Sequence, residues 1–167
     1  GQCSKGSRIK LKKGESDAQE TLPAEQRKSA IEETLVEEGL TKQAAAQIAA
    51  ITVGRSLKYT FAEANISTPA FFDVKARGGS LLVSLNTNHP AYSRLVEVLE
   101  RDFDESDIDE LRTRIATARD GLKLLLMAWA RYEDEMPDGP RRRGATEARW
   151  DWGRIASQFL DDIDFEG

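Results

Sequence analysis

The side chains that could do chemistry in this chain lie in four places, and the first is its single histidine. His89 follows Asn86, Thr87 and Asn88 and precedes Pro90, with Asp73 or Tyr92 as the helper a general base would recruit. General-base catalysis needs an orienting carboxylate and a nucleophile or water, and a metal centre needs further ligands at defined spacing. Neither set is legible around His89. Asn86, Asn88, His89 and Pro90 read instead as a structural turn and cap. Short polar side chains bond their own backbone, and proline suits the first position of a helix, where a missing N–H costs nothing.

The second place is the run of carboxylates Asp102, Asp104, Glu105, Asp107 and Asp109. A calcium loop of the hand type alternates oxygen ligands around a glycine and closes with a glutamate, and this run has no glycine. It reads as an acidic helix start, with Ser106 as the cap and Asp109 at the capping-box position. The third place is Arg141, Arg142 and Arg143, which can grip a phosphate or an acidic surface bidentately. Glu133, Asp134, Glu135 and Glu147 flank them and would neutralise them locally. The fourth is the basic arm with Lys10, Lys12 and Lys13, a second candidate for phosphate contact. No catalytic residue, cofactor-binding residue or metal ligand is expected in this chain, and it reads as non-enzymatic.

The elements that must position these residues follow from periodicity. Phe71 to Arg77 and Ser80 to Asn86 flank Gly78-Gly79, the signature of a β-hairpin with a primed turn. Phe72, Val74 and Ala76 alternate with Asp73, Lys75 and Arg77, as in a sheet with one buried face. Two strands are marginal in water, so the hairpin must lie against helices or gain strands. Before it, a short amphipathic helix runs from Pro23 to Gly39, carrying Ile31 and Leu35, with Thr21 as its cap. A second, capped by Thr41, extends from Lys42 to about Phe61. Its buried face is either Ala44, Ile48, Ile51 and Arg55 or Ala45, Ala49, Thr52 and Ser56. After the hairpin, Pro90 starts a helix carrying Tyr92, Leu95, Val96, Val98 and Leu99.

The longest helix holds Ile108, Leu111, Ile115, Ala118, Leu122, Leu125, Trp129 and Tyr132 at alternating spacings of three and four, an a/d seam. Leu111, Ile115, Leu122, Leu125 and Trp129 are the candidate interaction residues. Their face is expected to be buried, inside the domain or between chains. The span Met136 to Gly144 reads as an exposed loop, and Thr146 as the cap of a last helix carrying Trp152, Ile155, Phe159 and Ile163. The fold class is therefore α+β and mostly helical, about five helices packed around a short antiparallel hairpin. Residues 1–22 read as a flexible linker or arm, 23–163 as a single domain and 164–167 as a frayed tail.

A net charge of −5 argues against a dedicated nucleic-acid domain. The one cysteine cannot form an internal disulfide, so a cytoplasmic protein fits, and no apolar run has membrane-spanning length. The chain begins with Gly1 rather than methionine, which reads as an excised piece.

The stretch LLVSLNTNHPAYSRL, followed about thirty residues on by DGLKLLLMAWARYEDE, resembles the C-terminal region of bacterial proteins whose N-terminal part is a GHKL ATPase of the gyrase, MutL and microrchidia-like kind. The resemblance spans roughly residues 65 to 135 and rests on Leu85-Asn86 through Pro90, on Tyr92 and on the Leu-rich helix ending in Trp129-Ala130. It implies an accessory module that transmits or supports ATP-driven dimerisation, with DNA transactions or phage defence as the setting. ATP and magnesium would be held by a missing N-terminal domain, since this chain has neither the Asn-bearing helix nor the Gly-rich loops of such a site. Its expected partner is protein, either a second copy in a homodimer or another domain of the parent chain. A nucleic-acid-binding accessory module is the alternative.

Overall fold

The computed structural model describes residues 14–161, and within them the fold is a mostly helical α+β arrangement. Contacts gather, inside the span expected as one domain, into two compact units that meet in sequence at Glu97 and Val98.

The first unit opens with α1 (Glu15–Gln19), a short helix within the span read as a flexible arm. In α2 (Ala24–Glu37) the i, i+4 pair Ile31 and Leu35 is fully buried. Thr21 donates to Ala18 O rather than capping this helix, and Pro23 takes the cap position. The helix stops where Gly39 adopts a φ of 101°. Leu40 N then donates to Leu35 O and Gly39 N to Val36 O, the paired bonds that close a left-handed helix end.

Thr41 caps α3 (Lys42–Gly54) through its hydroxyl, which accepts from Ala44 N. Of the two faces the sequence leaves open, Ala45, Ala49 and Thr52 are buried, while Ile51 is exposed. The helix ends at Gly54, seven residues short of expectation. Ser56 takes a left-handed φ of 52°, Leu57 N donates to Thr52 O, and the chain leaves as β1 (Tyr59–Ala64). Thr60, Ala62 and Ala64 alternate inward along that strand, a period that its helix-compatible alanines conceal.

β2 (Phe72–Arg77) and β3 (Ser80–Asn86) form the expected antiparallel hairpin through Gly78 and Gly79, both at positive φ. A Cβ on Gly78 would lie 2.5 Å from Arg27 O, and the Arg27 Nε donates to Gly78 O, so the turn is clamped onto α2. The shortage of strands is met by β1, which pairs parallel to β3 and gives a three-stranded sheet of order β1-β3-β2. Ile31, Leu35, Ala45, Ala49, Val53, Ala62 and Leu82 make the core between helices and sheet. The Thr52 and Thr60 hydroxyls, 3.0 Å apart, join α3 to β1 inside it. Glu38 at the end of α2 accepts from Ser84 and pairs with Lys75 Nζ at 2.9 Å. The buried side of the hairpin is thus the side of Leu82 and Ser84. The expectation that Phe72 and Val74 point inward is corrected, because α2 and α3 lie on the opposite face. Only Ala76 of that trio is buried. The unit closes with α4 (Pro90–Tyr92) and a π-helical turn over Ser93–Glu97.

The second unit holds α5 (Val98–Glu100), α6 (Ile108–Asp134) and α7 (Pro140–Asp161). The loop expected over Met136 to Gly144 shrinks to a few residues, because Pro140 is the first residue of α7 and the arginines form its first turn. Thr146, expected as a cap, sits inside that helix with its hydroxyl donating to Arg142 O. No helix among the described residues is long and apolar enough to cross a membrane.

Candidate interaction surface

α6 begins one residue later than the sequence implies. Asp107, not Ser106, is the cap, its carboxylate accepting from Glu110 N. Ser106 donates its hydroxyl and its N–H to Asp104, and the hydroxyl bond first, then the N–H, hold that carboxyl below the usual range. The acidic run is therefore occupied in helix capping, and no group of three metal-ligating side chains is found among the described residues. One turn into α6, Arg114 is buried. It donates to Arg101 O, Asp102 O and Glu110 Oε1, satisfying carbonyls beyond the end of α5.

The a/d seam lies along α6 as its spacing demands, but it is open. Leu111 and Leu125 are half-buried, while Ile115, Leu122 and Trp129 are exposed. From Leu122 to Trp129 the apolar positions also spill off the seam, with Leu124, Leu126 and Met127 exposed on other sides of the helix. A helix apolar all round belongs in an interior. Yet over its 27 residues α6 buries only Arg114 and Gly121, and α7 buries none of its 22. Trp150 is 64% exposed and Trp152 66%.

What joins the two helices is polar. Glu133 near the end of α6 accepts from Arg149 Nε at 2.6 Å, from Trp129 Nε1 and from Thr146 Oγ1. The Arg149 bond first, then that of Trp129, holds this carboxyl down at about 2. Met136 is buried at the connection. In the sequence this Trp129–Glu133–Arg149 set shows only as the i, i+4 spacing of Trp129 and Glu133.

The other predicted positions fall elsewhere. Arg141, Arg142 and Arg143 form the first turn of α7, and no acidic side chain pairs with them among the described residues. Glu133 is engaged by Arg149, and Glu135 by Arg131. Lys10, Lys12 and Lys13 lie outside the described residues. In the first unit the His89 ring caps α4, its Nδ1 accepting from Ala91 N at 3.0 Å, and it stands 5.4 Å from the Phe71 ring. Asn86 is buried, and all four capacities of its amide are used. Its oxygen accepts from Ile66 N and Asn88 N, and its nitrogen donates to Thr68 O and Ala70 O. Asn88 Nδ2 donates to Asn65. This depression is open to solvent, and its polar groups serve the loop that lines it.

The chain matches no protein-family model, no curated protein and no solved structure.

Proposed function

We propose that this chain is a non-enzymatic protein-interaction module that associates with a second copy of itself through the α6–α7 hairpin. The observation that carries this is the missing interior of the second unit. Helices in water owe most of their stability to packing of an apolar face, and these two present such faces to solvent. Taking about 150–250 Å² for an aromatic side chain and somewhat less for an aliphatic one, the exposed apolar surface is of the order of 1,000 Å². That meets the roughly 800 Å² per partner of a stable protein interface. The seam supplies the register, and the all-round apolar stretch from Leu122 to Trp129 calls for more than one neighbouring helix, as in a bundle with two helices from each copy. In the reading that the family resemblance supports, the module is the accessory C-terminal part of an ATP-dependent bacterial protein, with nucleotide and magnesium held in another domain.

Light scattering across a concentration series tests this. A dimer is expected, and Ile115→Glu with Leu122→Glu should raise its Kd by about 100-fold or more, two buried anchors being lost. A monomer up to high micromolar concentration, with its helices formed, would overturn the reading.

One observation favours a second reading, nucleic-acid binding. Three arginines stand in the first turn of α7 with no acidic partner among the described residues, at the helix end that attracts anions. If they contact three phosphates, duplex affinity falls with salt at a log–log slope of about −2.7, and replacing all three with alanine removes that slope. No duplex binding at low salt would eliminate this reading.

A further inference from the structure

The two ends of α6 differ in charge and in side-chain size, and that difference gives the proposed self-association a direction. Over residues 102–110, at the start of the helix, stand six acidic side chains and no basic one, all six exposed. Among the described residues only Glu110 of these pairs with a cation, Arg114. Over residues 131–149, at the other end, five arginines stand among five carboxylates. Arg131 and Arg149 are paired with Glu135 and Glu133, which leaves Arg141, Arg142 and Arg143 without an acidic partner among the described residues. A helix of 27 residues is about 40 Å long, so the acidic run and these arginines cannot meet within one copy.

We propose that two copies pair α6 against α6 in antiparallel fashion, the acidic start of each helix lying on the arginine turn of the other; this rests on the self-association proposed above and fixes its orientation. A two-fold axis at the level of Asp120 sets Ile108 against Tyr132, Leu111 against Trp129, Ile115 against Leu125 and Ala118 against Leu122. None of these eight residues is buried. An aromatic side chain meets an aliphatic one in the outer layers, and Leu122 fills the space beside Ala118. A parallel pair would instead stack Trp129 on Trp129 and Tyr132 on Tyr132 at one end and Ala118 on Ala118 in the middle, overfilling two layers and leaving a void in another. It would also set the two acidic runs side by side, like charge against like. Antiparallel pairing sets each run against the charge-balanced end, beside three guanidinium groups that can grip carboxylates bidentately. Arg119, which flanks the axis near its twin, carries Asp120 as its own counter-charge at 3.1 Å.

The full chain carrying Cys3→Ser and Asp109→Cys, with a nitroxide spin label on the one cysteine, tests the orientation. At about 1.5 Å per residue from the axis, double electron–electron resonance should place the twin labels about 35 Å apart. A separation of about 20 Å or less, as packed axes about 8–10 Å apart would give to aligned helices, overturns the antiparallel pairing. Light scattering on the same sample separates the two proposals. A dimer with the short label distance sinks only the orientation, whereas a monomer at every concentration sinks the self-association and this pairing with it. The charge contact has its own readout. Arg141→Glu with Arg143→Glu should weaken the dimer about 10-fold at low salt, and adding Asp102→Lys and Glu105→Lys to the same chain should restore it. All four positions are exposed, and circular dichroism verifies that the chain stays folded. A Kd unmoved by the two arginine substitutions overturns the contact between the acidic run and the arginine turn.

Discussion

Asn86 shows most directly how one side chain holds a region. Its amide closes four hydrogen bonds to the backbone of the 66–70 loop and the turn before α4. Removing it leaves two donors and two acceptors of the surrounding backbone to find water along a depression that is open to solvent. Asn86→Ala should cost about 2–4 kcal/mol, since each buried polar group left without a partner costs about 1–3 kcal/mol and some of the four will be rehydrated. Urea unfolding would show this as a lower midpoint at unchanged slope; a midpoint within error of the parent chain would mean that the loop is held by something else. His89 next door has its Nδ1 committed to the Ala91 N–H, so the neutral ring carries its proton on Nε2. Asparagine and histidine before a proline are legible in sequence as turn and cap chemistry, because those residue types act over two or three positions. The reach of Asn86 back to Ile66 and Thr68 is not legible, because it depends on the strand that brings position 86 beside the 65–70 loop.

At the scale of elements, the junction of α6 and α7 rests on an ionised carboxylate. Glu133 is lowered from its ordinary 4.5 to about 2 by the bonds from Arg149 and Trp129, so the folded form prefers it charged. A depressed folded pKa gives stability that is fully present above the unfolded value and is lost as pH falls through the folded one. The junction should therefore loosen between about pH 4.5 and 2. Trp129 reports on it, since its indole N–H donates to the same carboxylate. Its emission should shift over that window in the parent chain and stay flat in Glu133→Gln; a flat parent trace would show that the bond does not govern the junction. The helices themselves are readable from spacing: the α6 seam, the Thr41 cap of α3 and the Gly39 end of α2 are local patterns, as is the Gly78-Gly79 turn. Three features were not. β1 hides behind alanines that suit either period, and only its register with β3 marks it as a strand. Pro140 falls in a span that reads as a loop, whereas at the first position of a helix it is welcome. Periodicity also shows which residues share a face without showing what covers it: the seam is not buried within its own unit, and burial between chains is what the proposed dimer would supply.

For the molecule as a whole, the two units differ in how they are stabilised. The first has its own interior of Ile31, Leu35, Ala45, Ala49, Val53, Ala62 and Leu82. The second holds 27 residues of α6 and 22 of α7 with almost nothing buried between them. If a second copy supplies the missing core, the helicity of that unit is coupled to association, and mass action makes it depend on protein concentration. Most of a helix's stability in a protein comes from the packing of its apolar face, which these two lack within the unit. Far-UV circular dichroism at 222 nm should therefore lose part of its intensity as the chain is diluted through its Kd, along the same curve as the mass from light scattering. The Ile115→Glu, Leu122→Glu chain should begin at the diluted value and stay there. The residual signal at high dilution should match α2 and α3, whose buried faces lie inside the first unit. Ellipticity that holds constant down to nanomolar concentration, while the mass falls to that of a monomer, would show that α6 and α7 stand without a partner, and the coupling between fold and association would be wrong.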